Sequence, residues 1–245
     1  MNSVKLSTIL MILILSTTLF ILGCGQDNNN GKDDVDGIIW HGQSTIQINS
    51  LDKVLYFDPF NMGTGLEKAD FIVITHAHYD HCSFKDILKV SKPETILFAT
   101  PDCLSELENL DIAKKIAIIP HQNYAIEGYE DFSLTTIPAY NIERKFHPKG
   151  KKWIGAIAHF NNKRYYHAGD TDAIPEMSLL KGIDIAFLPI GGTYTMDAKE
   201  AVNAVKMFNP KKVIPIHYGS VIGNKEDANV FKSLCGCEVE ILELS

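Results

Sequence analysis

At 245 residues the chain can hold one large domain or two small ones, and its 45% hydrophobic content suffices for a substantial core. A formal net charge of −7 argues against a nucleic-acid surface, because neutralising phosphates needs clustered Lys and Arg.

The N-terminus reads as a targeting segment. Lys5 precedes an almost uninterrupted apolar run from Leu6 to Leu22, and Gly23 and Cys24 follow. A short positive head, an apolar stretch and small residues before a cut are the layout of a secretory signal peptide. Ile21-Leu22-Gly23-Cys24 resembles a bacterial lipobox, with Leu22 a tolerated choice at its place. That resemblance implies a signal peptide over 1–23 and a lipid on Cys24 holding the mature protein to a bacterial membrane, outside the cytoplasm. The alternative is an uncleaved anchor, since the run approaches a spanning length. The break at Gly23-Cys24-Gly25 favours the cut. Losing 1–23 removes one positive charge, Lys5, and makes the rest one unit more acidic. Residues 24–37 read as a flexible tether, because after Cys24 they carry a single apolar side chain, Val35.

From residue 38 to 245 short β-rich runs alternate with turns and helices. IIWHG, TIQIN and KVLYFD predict a three-stranded meander, and DFIVIT a buried strand. FKDILKV has helical spacing, TILFAT is a strand, and PDCLSELENL opens with Pro and Asp as a helix does. DFSLTTIPAY, WIGAIAHF and KRYYHAGD predict strands, IPEMSLLK a short helix, and IDIAFLPI a buried strand. DAKEAVNAVKMF is a helix capped by Asp197, KKVIPIHYG a strand, KEDANVFKSLC a helix and CEVEILEL the last strand. Two mixed sheets with helices outside them, an α/β sandwich, fit this order.

Polar residues sit where apolar strands end. Asp58 closes VLYFD; His76, His78, Asp80 and His81 follow FIVIT; Asp170 and Asp172 follow RYYHAG; His217 follows VIPI. Strand ends are rigid backbone meeting solvent, a natural place for a preorganised site. Alternate residues of an extended segment share a side, so His76 and His78 can reach one ion. Imidazole and carboxylate together suit zinc, and also iron or manganese.

THAHYDH resembles the His-x-His-x-Asp-His signature of the metallo-β-lactamase superfamily. YFDPF, HAGDTD and IPIHYG match further motifs of that superfamily in order, and PAYN, FHPKG and LPIGGTYTMDAKEA resemble its branch containing ascorbate-6-phosphate lactonase and many metal-dependent hydrolases. The resemblance spans residue 38 to the C-terminus. It implies a four-layer αββα sandwich and two divalent metal ions. His76 and His78 would bind the first ion, Asp80, His81 and His217 the second, and Asp170 would bridge. Asp58 would orient a ligand from behind. The first ion needs a third ligand: His147 is the choice, His121 the runner-up, and Asn141 stands where many relatives have histidine. In WHGQST, Gln43 occupies another usual histidine position and His41 sits two residues earlier. His159 and His167 receive no ligand role; His167 could back the site.

The implied chemistry is attack by a metal-activated water, with Asp80 or Asp170 handling the proton. From Asn141 to Lys152 half the residues are Lys, Arg or His. Either this is a solvated loop, or Arg144, Lys145 or Lys149 attracts an anionic small-molecule substrate. Asn141 and Lys149 are the expected substrate contacts. The leading function is a membrane-tethered binuclear hydrolase of a small ester, lactone or phosphodiester. The alternatives are a nuclease or phosphodiesterase and a non-catalytic metal-binding lipoprotein. Cys82, Cys103, Cys235 and Cys237 read as free or buried thiols, since their spacing gives no disulfide framework. Nothing in the sequence fixes the oligomeric state.

Overall fold

The computed structural model describes residues 37–50 and 53–245, so the signal segment, Cys24 and most of the expected tether lie outside the described residues. The chain begins as an antiparallel meander of β1 (Ile38–Trp40), β2 (Ile46–Ser50) and β3 (Lys53–Phe57). It continues in parallel with β4 (Phe71–Ile74), β5 (Ile96–Ala99) and β6 (Lys114–Ala117), giving a six-stranded sheet in sequence order. The second sheet has seven strands, also in sequence order. β7 (Asn123–Ala125), β8 (Phe132–Pro138), β9 (Ile154–Phe160) and β10 (Lys163–His167) pair antiparallel. β11 (Ile185–Pro189), β12 (Lys212–Ile216) and β13 (Glu238–Val239) then extend it in parallel.

Among the described residues, four α-helices flank the sheets. α1 (Phe84–Val90) is capped by Ser83, whose side chain accepts from the Asp86 backbone N–H, and α2 (Pro101–Glu106) starts on a proline. α3 (Ala198–Phe208) and α4 (Lys225–Leu234) each begin with a reciprocal capping box, Asp197 with Glu200 and Asn224 with Asp227. The layers follow from side-chain alternation along β4. Phe71 and Val73 join the core between the sheets, whereas Ile72 and Ile74 join the core under α1 and α2 with Ile87 and Val90. A strand buried on both faces reads as a continuous apolar run, as FIVI does. Phe71 stacks on Phe132 of the other sheet at 3.9 Å between centroids, and Tyr166 of β10 meets Phe208 of α3 on the far side at 5.6 Å. Helix, sheet, sheet and helix thus lie in order, as expected.

Some local readings differ. β6 and β7, four and three residues long and without a fully buried residue, do not stand out as apolar runs. IPEMSLLK forms a 3-10 turn over Pro175–Leu179, and in CEVEILEL only Glu238 and Val239 pair as a strand. The thiol expectation is corrected: Cys82 is bonded to Cys103, and Cys235 to Cys237. Cys82 and Cys103 are 21 residues apart in sequence, so only the β4–α1–β5–α2 fold shows that they meet.

The parallel pairings decide where the site stands. β3 and β4 run together, as do β10, β11 and β12, so the carboxyl ends of all five deliver their following residues to one edge.

Candidate metal centre

Asp58, just past β3, has φ +44, a left-handed conformation that Asp tolerates better than most residues. It aims a fully buried carboxylate at the end of β4. Its Oδ1 accepts the Thr75 backbone N–H at 2.8 Å; its Oδ2 accepts the Thr75 hydroxyl and His81 Nδ1, both at 2.7 Å. Beyond Thr75 the chain turns, with the His81 and Cys82 N–H groups both donating to the His78 carbonyl. That turn aims Asp80 and His81 toward a second group, with the His81 ring still 4.0 Å from that of His76, centroid to centroid.

Two groups of side chains result. The ligand atoms of His76, His78, His147 and Asp170 lie within 4.8 Å of one another, and so do those of Asp80, His81 and His217. Asp170 joins them. Its Oδ2 is 3.2 Å from His147 Nε2 and 3.1 Å from His217 Nε2, while its Oδ1 is 3.3 Å from His81 Nε2. His78 presents Nδ1, at 3.2 Å from both His76 Nε2 and His147 Nε2.

Tautomers follow from the partners behind the rings. His81 Nδ1 faces the Asp58 carboxylate and must carry a proton, which makes Nε2 the nitrogen available to a metal. The Thr75 hydroxyl spends its proton on Asp58, so at 3.0 Å it can only accept from His76 Nδ1. His147 Nδ1 donates to Asn141 Oδ1 at 3.0 Å or the Tyr194 carbonyl at 3.2 Å. In each case Nε2 is freed toward the cluster.

Sequence reasoning placed Gln43 at a departure from the family pattern and gave it no role. It is buried, at φ +47, and its Nε2 donates to Asp80 Oδ2 at 2.9 Å. Its carbonyl accepts the His217 backbone N–H at 2.7 Å, so one residue fixes two members of the second group. Gly191 is required beside them, because a Cβ there would collide with the His217 carbonyl.

The electrostatics suit a cation. Burial, reinforced by neighbouring His81, pushes the His76 pKa well below its ordinary value, and burial lowers that of His78. Burial would also lower His81, but the Asp170 and Asp58 carboxylates outweigh it and raise that group well above the usual histidine range. Asp170 is the reverse: burial would raise it, and the surrounding imidazoles, His217 first, hold it well below the carboxylate range. His81 Nε2, His217 Nε2 and Asp170 Oδ1 are buried without a hydrogen-bond partner. Two imidazole nitrogens and a carboxylate oxygen buried together in this way are costly unless a cation satisfies them. Imidazole and carboxylate donors of this kind fit divalent transition-metal ions.

The expected substrate contacts are otherwise engaged. Asn141 is buried and its amide is spent: Nδ2 donates to Asp172 Oδ1 and the Tyr194 carbonyl, and Oδ1 faces His147. It positions His147. Lys149 Nζ pairs with Glu176 at 2.9 Å and lies 4.3 Å above the Tyr140 ring, outside the cleft lining. Arg144 is held by Asp172 and Glu200, both at 2.7 Å. His121 is exposed and outside both groups. The cleft over the centre, about 210 Å³, is walled by Tyr79, Phe146, Tyr194 and Val221. A larger cavity of about 500 Å³ lies against Trp40 and Tyr218, shares Gln43, and contains none of the seven grouped residues.

Comparison with known proteins agrees with this geometry. Residues 50–218 match the family model described as the beta-lactamase superfamily domain. A UPF0173 metal-dependent hydrolase of Thermus thermophilus is 32% identical over 202 residues, covering 78% of this chain and 87% of the relative. A solved structure from Parabacteroides distasonis, assigned as a metal-dependent hydrolase, has a TM-score of 0.73 at 34% identity, over 85% of this chain and 93% of that one. A metallo hydrolase of Ignicoccus hospitalis gives 0.69 at 26% identity, over 85% and 95%. With the motif order, the layered fold and these relatives in agreement, the chain belongs to the metallo-β-lactamase superfamily, as a UPF0173 metal-dependent hydrolase.

Proposed function

We propose that the protein is a binuclear hydrolase of small esters, lactones or phosphodiesters, tethered by a lipid on Cys24 outside the cytoplasm. The observation that carries the binuclear reading is the position of Asp170, whose two oxygens reach histidines of both groups. His76, His78 and His147 would hold one ion and Asp80, His81 and His217 the other, with Asp170 shared. Zinc suits the imidazole-rich set, and manganese or iron are alternatives. Such ions lower the pKa of coordinated water toward about 7 and polarise the scissile oxygen. Asp80, held by the Gln43 amide, takes the proton from the attacking water. That proton passes to the leaving oxygen as the bond to the acyl carbon or phosphorus breaks. Asp170, kept ionised by its imidazoles, supplies fixed negative charge. The tether rests on Lys5, the apolar run and Gly23-Cys24. The lactone belongs to the kinship with ascorbate-6-phosphate lactonase that PAYN and FHPKG suggest.

Elemental analysis of the purified protein tests this first. Two equivalents of metal are expected, with His78→Ala reducing the content toward one and abolishing hydrolysis. One equivalent in the active wild type would defeat the binuclear reading. Two equivalents with no turnover on esters, lactones or phosphodiesters would favour a binding protein.

A further inference from the structure

We infer that the part of the substrate lying beyond the metals is uncharged and apolar: a short alkyl or single-ring aryl group on a small ester or lactone. This rests on the hydrolase reading above and narrows it. Tyr79, Phe146 and Val221 all wall the same cleft, and they are 68%, 46% and 37% exposed. Large apolar side chains gathered around one opening mark a binding surface, whereas the same residues scattered singly would not. Two of the three are braced. Phe146 stands edge-on to Tyr194 at 4.7 Å between centroids, and Tyr79 edge-on to Phe60 at 5.7 Å. The rim is therefore a fixed wall.

The second observation is the distribution of cations. Among the described residues, no Lys or Arg lines the cleft. Arg144 faces two carboxylates, and Lys149 is held by Glu176 and Tyr140. Lys145 is exposed beside Phe146 and stands outside the lining. A phosphate or carboxylate remote from the reacting bond would lose water against aromatic walls and gain no cationic partner among the lining residues. Bound metals would attract the reacting group in any substrate, so they do not discriminate among remainders; the walls do. The cleft's 210 Å³ falls below the roughly 300–1,000 Å³ of pockets for drug-sized ligands, which keeps the substituent short.

The test uses the metal-replete protein with 4-nitrophenyl acetate, butyrate and hemisuccinate, the last placing a carboxylate near the butyrate chain end. Expected is a kcat/KM that rises roughly threefold per added methylene from acetate to butyrate. Butyrate should exceed hemisuccinate by at least about tenfold, for want of a cationic partner. Phe146→Ala should flatten the chain-length gradient while metal content stays at the wild-type value. Hemisuccinate equalling or beating butyrate overturns the inference, most plainly if Lys145→Ala removes that preference; so does turnover without any gradient. Both of those outcomes leave the hydrolase reading standing. Failure of these esters and of lactones and phosphodiesters alike, with two equivalents of metal bound, removes both.

Discussion

The first and second ligand groups are alike in size and differ in what holds them. His81 in the second is fully buried against the Asp58 carboxylate, Asp80 is held by the Gln43 amide, and the His217 backbone is tied to the Gln43 carbonyl. In the first, His76 and His147 lean on the neutral Thr75 hydroxyl and Asn141 amide, and His78 is only half-buried. The Trp153 ring packs within 4.9, 4.7 and 5.7 Å of the His76, His78 and His147 rings, centroid to centroid. The second group owns a carboxylate and is backed by another; the first has only its share of Asp170. With an ion in each group, as proposed, charge count and burial would make the second the tighter site and the first the exchangeable one. Titration of the metal-replete protein with a chelator should release one equivalent well before the other, and a His78→Ala protein should lack the early one.

The largest effect belongs to the residue the groups share. Asp170→Asn keeps the shape and removes the charge, and hydrolysis should fall by more than about 10³-fold with metal loss from both groups. Loss confined to one group would break the symmetric role of Asp170. Next is the Cys82–Cys103 disulfide, which pins the segment just after His81 to α2. Closing a loop of this length contributes about 3 kcal/mol, so Cys103→Ala should lower the denaturant midpoint accordingly. In denaturant the second group's metal should become the easier to remove, reversing the order of the intact protein.

A pair of supporting residues separates the groups directly. Asp58→Ala should weaken metal binding roughly 10- to 100-fold at the second group, and Asn141→Ala by a similar factor at the first. Isothermal titration of each variant would show which of the two binding steps moves. If both variants affected the same step, the division into two independently supported groups would be wrong.

Much of the site could be read along the chain because its ligands are chemically conspicuous and follow apolar strands. The clustering of HAHYDH needs no fold to be noticed, and Asp170 and His217 each stand just past a strand candidate. What escaped reading depended on partners far away in sequence. Gln43 reaches Asp80 across 37 residues, and an amide carries no mark of the task it performs. Lys149 looked available because its partner Glu176 lies 27 residues on, in a stretch read only as a helix. The meander of β1–β3 was legible from local alternation. The short β6 and β7, which pair at sheet edges, were not, because KKIA and NYA bury no residue fully and carry little apolar signal.

The smallest effect tests the wall behind the second group. His167 ends β10, fully buried, with its ring stacked on Phe57 at 5.0 Å between centroids. Its Nε2 meets the Ser44 carbonyl at 2.8 Å and its Nδ1 accepts the Gly169 N–H at 3.2 Å, so both nitrogens are used by the neutral ring. Phe57 and Ser44 are the neighbours of Asp58 and Gln43, the residues that support the second group. Burial lowers the His167 pKa from its ordinary value and outweighs the opposite pull of Asp58 and the Ser44 carbonyl. The unfolded chain therefore binds a proton that the native ring resists. The stabilisation is present in full above about pH 6.5 and is lost as the pH falls toward the native value. His167→Phe gives up the hydrogen bonds and the titration together. In chelator-treated protein its thermal midpoint should be lower than wild type at pH 7.5, yet fall less between pH 7.5 and 5.5. His76 and His78, also held low by burial, titrate in both proteins, so the difference in slope isolates His167. Parallel slopes would mean that acid enters through the half-open first group and leaves the backing of the second untouched.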